Sequence, residues 1–421
     1  MRKHQILRLT GALVASVGLA AGAAACGGGD DGGDGGGGSS SKDSSATVGI
    51  LVPLTGELGS FGKPWQQAIE LAFDHANAEQ GMPAKIDTVV EDEKTEPQVA
   101  VQVARKMIDQ QDVSTIIGPT SGPIVAVAPI AKRSRVPVIG VASGTVSLNR
   151  LGGDYVYRTV ASDDSDGLAI AKFLTEQSAS NVAMLVQNEE STLSPAETFR
   201  KEFEANGGKI VSSVTFNPDQ SSYRAEVQKV LGSNPDWIVC ACGQQSGVTI
   251  LKQADSAGYD GDWMVTADII TPEAIKAVGE DIMEGVYGEV ASSDDSLPAY
   301  KDFAAAFKEK YGADPYPFTA NSYDAGVLTA LAMAAAKSTD GEDINAKIPE
   351  VANPPGTQVT SLADGLAALA KGEDINYDGA SGPVDLDETG TASSPYSVQQ
   401  VTDGKWKQVE FYSADVFAGG Q

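Results

Sequence analysis

Residues 116–149 read IIGPTSGPIVAVAPIAKRSRVPVIGVASGTVSLN, two short runs rich in Val and Ile on either side of a helical pattern. The runs are residues 115–117 and 137–141, and the helical pattern covers residues 124–133. Each run stops abruptly in small and hydroxylated residues, 118–122 and then 142–145. Short buried strands alternating with helices mark a parallel α/β sheet. In such sheets ligands sit beyond the carboxyl ends of the strands, where loops meet helix N-termini. Free N–H groups and hydroxyls there suit a carboxylate. The clusters 118–122 and 142–145 are therefore a candidate binding site. Each cluster alone reads equally well as turn chemistry; two in one βαβ unit make the candidate site.

The same rhythm extends outward. Upstream, residues 48–52 read as a strand, 53–62 (PLTGELGSFG) as a loop and the residues up to 79 as a helix, followed by a strand over 86–91 and an amphipathic helix over 97–110. Downstream come a strand at 155–159 and a helix at 168–176. A second βα series follows, with strands at 181–186, 209–215, 237–241, 263–266 and 285–291 and helices at 196–206, 223–231 and 248–257. Helices are expected at 298–311, 322–336 and 362–371, with closing strands at 384–386, 396–401 and 406–410; polar residues 338–360 read as an insertion. Two consecutive series in 421 residues predict an α/β fold of two Rossmann-like lobes with a hinge and an interlobe cleft. The expected division is 47–163 plus 292–394 for lobe 1, and 164–291 plus 395–421 for lobe 2.

Composition narrows the function. A formal net charge of −27 argues against nucleic acid, whose phosphates need Lys and Arg. The two histidines are His4 and His75, and His75 falls inside a helical pattern, so Ser–His–Asp or Cys–His catalysis has little to work with. No enzyme activity, cofactor or metal is expected. Three cysteines make no disulfide framework.

The N-terminus reads as a targeting segment: Arg2, Lys3 and Arg8 precede an apolar run, residues 9–25, that ends in small residues at Cys26. Residues 1–25 resemble a bacterial lipoprotein signal, with Cys26 as the lipidation site and no Leu three residues before it. Residues 26–46 are Gly, Asp and Ser almost throughout and read as a flexible tether. Lipoprotein modification would supply the more than one acyl chain that stable anchoring needs.

Four patches then resemble the Leu/Ile/Val-type substrate-binding proteins of ABC importers, which have the type I periplasmic-binding fold. They are Leu54-Thr55-Gly56 with Phe61-Gly62; Ile117-Gly118-Pro119 through Ala128-Pro129-Ile130 and Val136-Pro137-Val138; Tyr157-Arg158-Thr159 before Asp163; and Gly379-Ala380-Ser381-Gly382-Pro383 through Asp387 and Gly390. The similarity runs from about residue 48 to 412. It implies two lobes joined by three crossovers that close on a small ligand. It also implies that Ser121, Gly122, Ala142 and either Ser143 or Thr145 hold the ligand's α-carboxylate. Phe61 matches an aromatic that covers the ligand, Phe318 looks similar to a further aromatic near the cleft, and Asp268 matches the acid that takes the ammonium group. The chain departs from the family in residues 187–194 (QNEESTLS), where an aromatic is common, and at Gln244 and Gln245, where another is frequent. Amides there suggest a more polar ligand.

The resemblance implies a membrane-tethered, extracytoplasmic, monomeric binding protein. It would capture an amino acid or related small polar solute and deliver it to an ABC permease. The alternative is a sensing domain that reports ligand to a receptor or kinase partner. Asp374 to Asp385 resembles an EF-hand loop, yet its twelfth residue is Asp and a strand is expected to follow. Cys240 and Cys242 read as small buried residues on one strand, and the acidic runs 91–93, 163–166 and 294–295 as solvated caps and loops.

Overall fold

A computed structural model of the protein describes residues 45–417; the signal-like segment, Cys26 and nearly all of the tether lie outside the described residues. The first series is β1 (Ser45–Val52), α1 (Gly59–Ala78), β2 (Lys85–Asp92), α2 (Pro97–Gln111), β3 (Val113–Ile117), α3 (Ser121–Ser134), β4 (Val138–Gly140), a single turn α4 (Leu148–Leu151) and β5 (Val156–Arg158). Its strands form one all-parallel sheet in the order β2-β1-β3-β4-β5. On α1, the spacing of Trp65, Ile69, Ala72, Phe73 and Ala76 makes one apolar face, and all five are buried.

The second series is α5 (Asp163–Glu176), β6 (Asn181–Gln187), α6 (Glu190–Ala205), β7 (Lys209–Phe216), α7 (Arg224–Leu231), β8 (Trp237–Ala241), α8 (Gln244–Ser256), β9 (Asp262–Val265), α9 (Pro272–Val278), α10 (Glu280–Met283) and β10 (Tyr287–Ala291). The chain returns through α11 (Pro298–Tyr311), α12 (Thr319–Ala336), α13 (Gly341–Ala352), β11 (Thr357–Val359), α14 (Leu362–Ala370), β12 (Ile375–Gly379) and β13 (Gly382–Pro383), then ends with β14 (Tyr396–Thr402) and β15 (Lys405–Tyr412). The second sheet runs β15-β14-β10-β9-β8-β6-β7, and β14 and β15 are its antiparallel members. The outermost of these, β15, carries Lys405, Lys407 and Glu410 on exposed positions, charges that discourage edge pairing. Helix α12 is apolar all round and built largely from Ala, which lets it sit buried between α1 and α13.

Three connections pass between the sheets: β5 to α5, β10 to α11, and the segment entering β14. They run side by side. The Arg158 N–H donates to Gly390 O at 2.9 Å, Ala161 N–H to Ser394 Oγ at 3.1 Å and Ser292 N–H to Pro395 O at 2.9 Å.

Several elements depart from expectation. Residues 338–360 are not a featureless polar stretch but hold α13 and β11. The Asp340 carboxylate accepts the Glu342 N–H at 2.9 Å as a cap, and Ile344, Ile348 and Val351 bury one face of α13, a helical period hidden by its polar neighbours. Residues 384–386 form no strand; the hairpin of β12 and β13 precedes them. That hairpin, the EF-hand-like stretch, wraps the buried Asp324 carboxylate, which accepts from Tyr377 Oη at 2.7 Å, Ala380 N–H at 2.8 Å, Ser381 N–H at 2.7 Å and Ser381 Oγ at 2.5 Å. A Cβ on Gly379 would stand 2.2 Å from that carboxylate, so the turn has to carry glycine. Cys240 and Cys242 form a disulfide instead of standing as free thiols. The strand ends at Ala241, so Cys242 leaves the pleat, and the Cα atoms stand 5.6 Å apart, inside the usual range.

Candidate ligand-binding cleft

The loops after β1, β3 and β4 meet the loops after β6, β8 and β9 across the cleft, so the carboxyl ends of both sheets face each other. Between them is a chamber of about 60 Å³. Leu58, Trp65, Thr120, Ser121 and Ala142 form its wall on the first lobe. The opposite wall carries Asp163 at the crossover and Asp166, Ser191, Thr266, Asp268 and Glu289 on the second lobe, and Phe318 completes the lining. A larger hollow of about 440 Å³ opens outward, sharing Thr120, Ser121 and Ser191 with the chamber and adding Gly122, Asn188 and Glu189.

Local sequence explains these positions. Glu93, buried with no exposed surface, accepts the Thr120 N–H at 3.2 Å and its hydroxyl at 2.5 Å. Thr120 is thereby held extended, and α3 starts at Ser121, three residues ahead of the apolar pattern. Ser121 then lines the chamber at the start of the helix, where a helix N-terminus favours an anion. Phe318 adopts a left-handed backbone (φ 62°) as it caps α12, which swings its ring against Trp65 with centroids 6.0 Å apart. The Trp65 indole N–H donates to Pro317 O at 2.8 Å, so the two rings form one fixed wall.

The opposite wall is acidic. Burial pushes Asp268 up to about 7 and Asp166 up to about 6, and it raises Asp163 and Glu289 from the usual carboxylate range as well. One oxygen of Asp163 and one of Glu289 have no hydrogen-bond partner. The nearby cation, Arg158, is committed elsewhere. Its guanidinium donates to the carbonyls of Gly144 at 2.6 Å and Thr145 at 3.0 Å and to Thr391 Oγ1 at 2.9 Å, which folds the loop after β4.

Of the residues named from sequence, Ser121, Ala142, Asp268 and Phe318 line the chamber, and Gly122 lines the outer hollow. Phe61 is placed elsewhere: it is 1% exposed and packed between Trp65 and Tyr316, at 5.5 and 5.3 Å. Neither Ser143 nor Thr145 faces the chamber. The Ser143 hydroxyl donates to Pro119 O, and Thr145 Oγ1 donates across the cleft to Glu190 Oε1 at 2.7 Å. Gln244 also spans the lobes, accepting from Ser60 Oγ at 2.7 Å and donating to Thr271 Oγ1 at 2.5 Å. These residues hold lobe to lobe, so the described conformation is a closed one.

Sequence reasoning missed Trp65, Asp163, Asp166 and Glu289. The acidic runs taken as solvated contain Glu93 and Asp163, both buried. Trp65 sits one turn beyond Phe61 on the same helix face, a signal that was legible. Glu289 lies mid-strand between Gly288 and Val290, where alternation alone marks it as out of place in a buried run. His75 is a helix residue whose Nδ1 lies 2.9 Å from Tyr323 Oη.

The chain belongs to the periplasmic binding protein family, whose model matches residues 45–405. Its similarity to a leucine-binding protein from Thermotoga maritima MSB8 is 26% identity with a TM-score of 0.77, covering 88% of this chain and 99% of that one. A solute-binding protein of an ABC transporter from R. palustris, solved with benzoate, superposes with a TM-score of 0.73 at 17% identity, over 88% of this chain and 97% of that chain. The substrate-binding protein BasB of a chemotactic signal transduction system in Halobacterium salinarum is 23% identical over 387 residues, 89% of this chain and 91% of its own. The type I two-lobed fold and a solute-binding role of the kind that serves ABC-type transporters follow from this membership. Among the described residues no helix is long and apolar enough to cross a membrane.

Proposed function

We propose that the protein captures an amino acid or related small amine in the closed chamber and delivers it to an ABC permease. The observation that carries this reading is the polarity of the chamber: the N-terminus of α3 with Ser121 on one wall, Asp268 on the other. A zwitterion satisfies both ends with charge-assisted hydrogen bonds worth ~1.5–3 kcal/mol each. The leucine-binding relative supports the amino-acid class; the benzoate-bound neighbour supports the fold alone. A chamber of about 60 Å³ is small beside ligand pockets of ~300 Å³ and above, so the lobes part to admit solute and close around it.

The lobes divide as residues 47–163 with 292–394 and 164–291 with 395–421, the crossovers serving as hinge. A lipid on Cys26 would hold the domain at the outer face of the membrane through the 26–46 tether. Cys26→Ser is expected to release the protein into the medium; continued membrane retention overturns the anchor. A second reading, a sensing role, is favoured by the similarity to BasB over nearly its whole length.

A thermal-shift screen of residues 45–421 with amino acids, amides, diamines, sugars and benzoate tests the solute reading. A ligand at ~100 times its dissociation constant stabilises by about 2.7 kcal/mol, which raises the melting temperature by a few degrees. A shift with an amine-bearing solute is expected. Shifts with benzoate or sugars alone would contradict the amine assignment, and none at all would contradict capture.

A further inference from the structure

We propose that the ligand is a diamine-type solute, with a second cationic group beyond the ammonium that Asp268 takes, and that second group seated among Asp163, Asp166 and Glu289. The inference rests on the solute-binding reading above and names its substrate class. A single ammonium carries three donors and is satisfied by one or two carboxylates. The wall opposite Ser121 offers four side chains with carboxyl groups. Two of them, Asp163 and Glu289, are more than nine-tenths buried and each presents an oxygen without a partner. Buried polar atoms are normally paired, and an orphan on the wall of a ligand chamber marks where a donor from outside belongs.

The rest of the lining agrees. Among the described residues no Lys, Arg or His lines the chamber. Arg158, the nearest cation, has its donors spent on the carbonyls of residues 143–145, on Asn149 and on Thr391. An aliphatic ligand side chain laid against this wall would leave the orphan oxygens buried and unpaired.

The shared chemistry of two amines on a short stem occurs in a diamino acid and in a free diamine. Calorimetric titration of residues 45–421 with L-lysine, L-norleucine and 1,5-diaminopentane separates them. Norleucine lacks only the terminal amine of lysine, and the diamine lacks only its carboxylate. At least one of the two dications is expected to bind ten or more times tighter than norleucine. Lysine well ahead of the diamine assigns the carboxylate wall a role in recognition; the diamine equal or ahead assigns the source to free diamines. Norleucine binding as tightly as lysine overturns the second-cation site while leaving solute capture intact, and binding by none of the three overturns the site as well. The thermal-shift screen then shows independently whether any other solute is captured. In the dication complex, Glu289→Gln is expected to cost tenfold or more in affinity for the dication and little for norleucine. An equal loss for both probes would mean that Glu289 acts on the fold and not on the second amine.

Discussion

Glu57, on the loop after β1, reaches across the cleft and accepts the hydroxyl of Ser246 at 3.2 Å near the start of α8. It also accepts the Gln245 N–H at 3.2 Å, and Gln245 Nε2 returns a bond to Gly56 O at 2.8 Å. On the other rim, Glu190 holds Thr145 and Ser147, and Ser194 Oγ accepts the Val146 N–H at 3.0 Å. The lobes are therefore latched at both ends of the chamber by groups outside its lining.

Latches of this kind set how much of the protein is closed, and affinity scales with that fraction. Each net hydrogen bond contributes ~0.5–1.5 kcal/mol. Glu57→Ala is expected to weaken solute binding roughly tenfold, chiefly by faster release, while leaving the fold intact. Stopped-flow dissociation rates check this; an unchanged off-rate would show that the closed state does not depend on Glu57.

Gly144 gives a steric test of the same chamber. A Cβ there would lie 1.7 Å from Asp163 Oδ1, and Asp163 N–H is already bonded to Gly144 O at 2.7 Å. Gly144→Ala should displace Asp163 and lower affinity by tenfold or more, read by calorimetry. Wild-type affinity would mean that Asp163 can move without consequence to the site.

Asp324 tests the hairpin core. Its carboxylate holds four donors in a fully buried position. Asp324→Ala leaves those donors without an acceptor and should cost about 3 kcal/mol or more of stability. Urea melts check this, and a loss under about 1 kcal/mol would contradict the network.

Stability should also fall as pH rises. Burial lifts Glu93 to about 8, Asp268 and Glu189 to about 7 and Asp166 to about 6. Unfolded carboxyl groups titrate near ~4, so between there and about 8 the native state binds more protons than the unfolded one. The slope of stability with pH is then negative across that window and flattens above it. His75, whose value burial lowers, works in the opposite sense below ~6.5 and only partly offsets four carboxyls. The ligand-free domain should melt several degrees higher at pH 5.5 than at pH 8.5; a higher melting temperature at the alkaline end would contradict the buried, neutral carboxyls.

The architecture was legible because periodicity and strand ends carry it. The runs 115–117 and 137–141 stop within one residue of the ends of β3 and β4, and of the small residues that follow them Ser121 and Ala142 do line the chamber. The chamber was legible only in half. Ser121, Ala142, Asp268 and Phe318 sit at strand ends or a helix cap, positions that pattern can locate. Which hydroxyl turns inward is a rotamer and tertiary matter: Ser143 turns to Pro119 O and Thr145 to Glu190, and no local rule distinguishes them. Asp163, Asp166 and Glu289 were hidden for a different reason. An acid in a sequence reads as solvated, and these three come together only where α5 packs against β10 in the folded chain. The strand end at Ala241 was read from sequence, but Cys242 was still placed on the strand with Cys240; lying one residue beyond that end is what lets it pair with Cys240.

The most direct test of capture by closure is small-angle scattering of residues 45–421, with and without a saturating amount of the solute that gives the largest thermal shift. Closure predicts that the radius of gyration falls on ligand addition and that Glu57→Ala shows a larger ligand-free value than the wild type. A radius unchanged by ligand, under conditions where calorimetry shows the site filled, would contradict it.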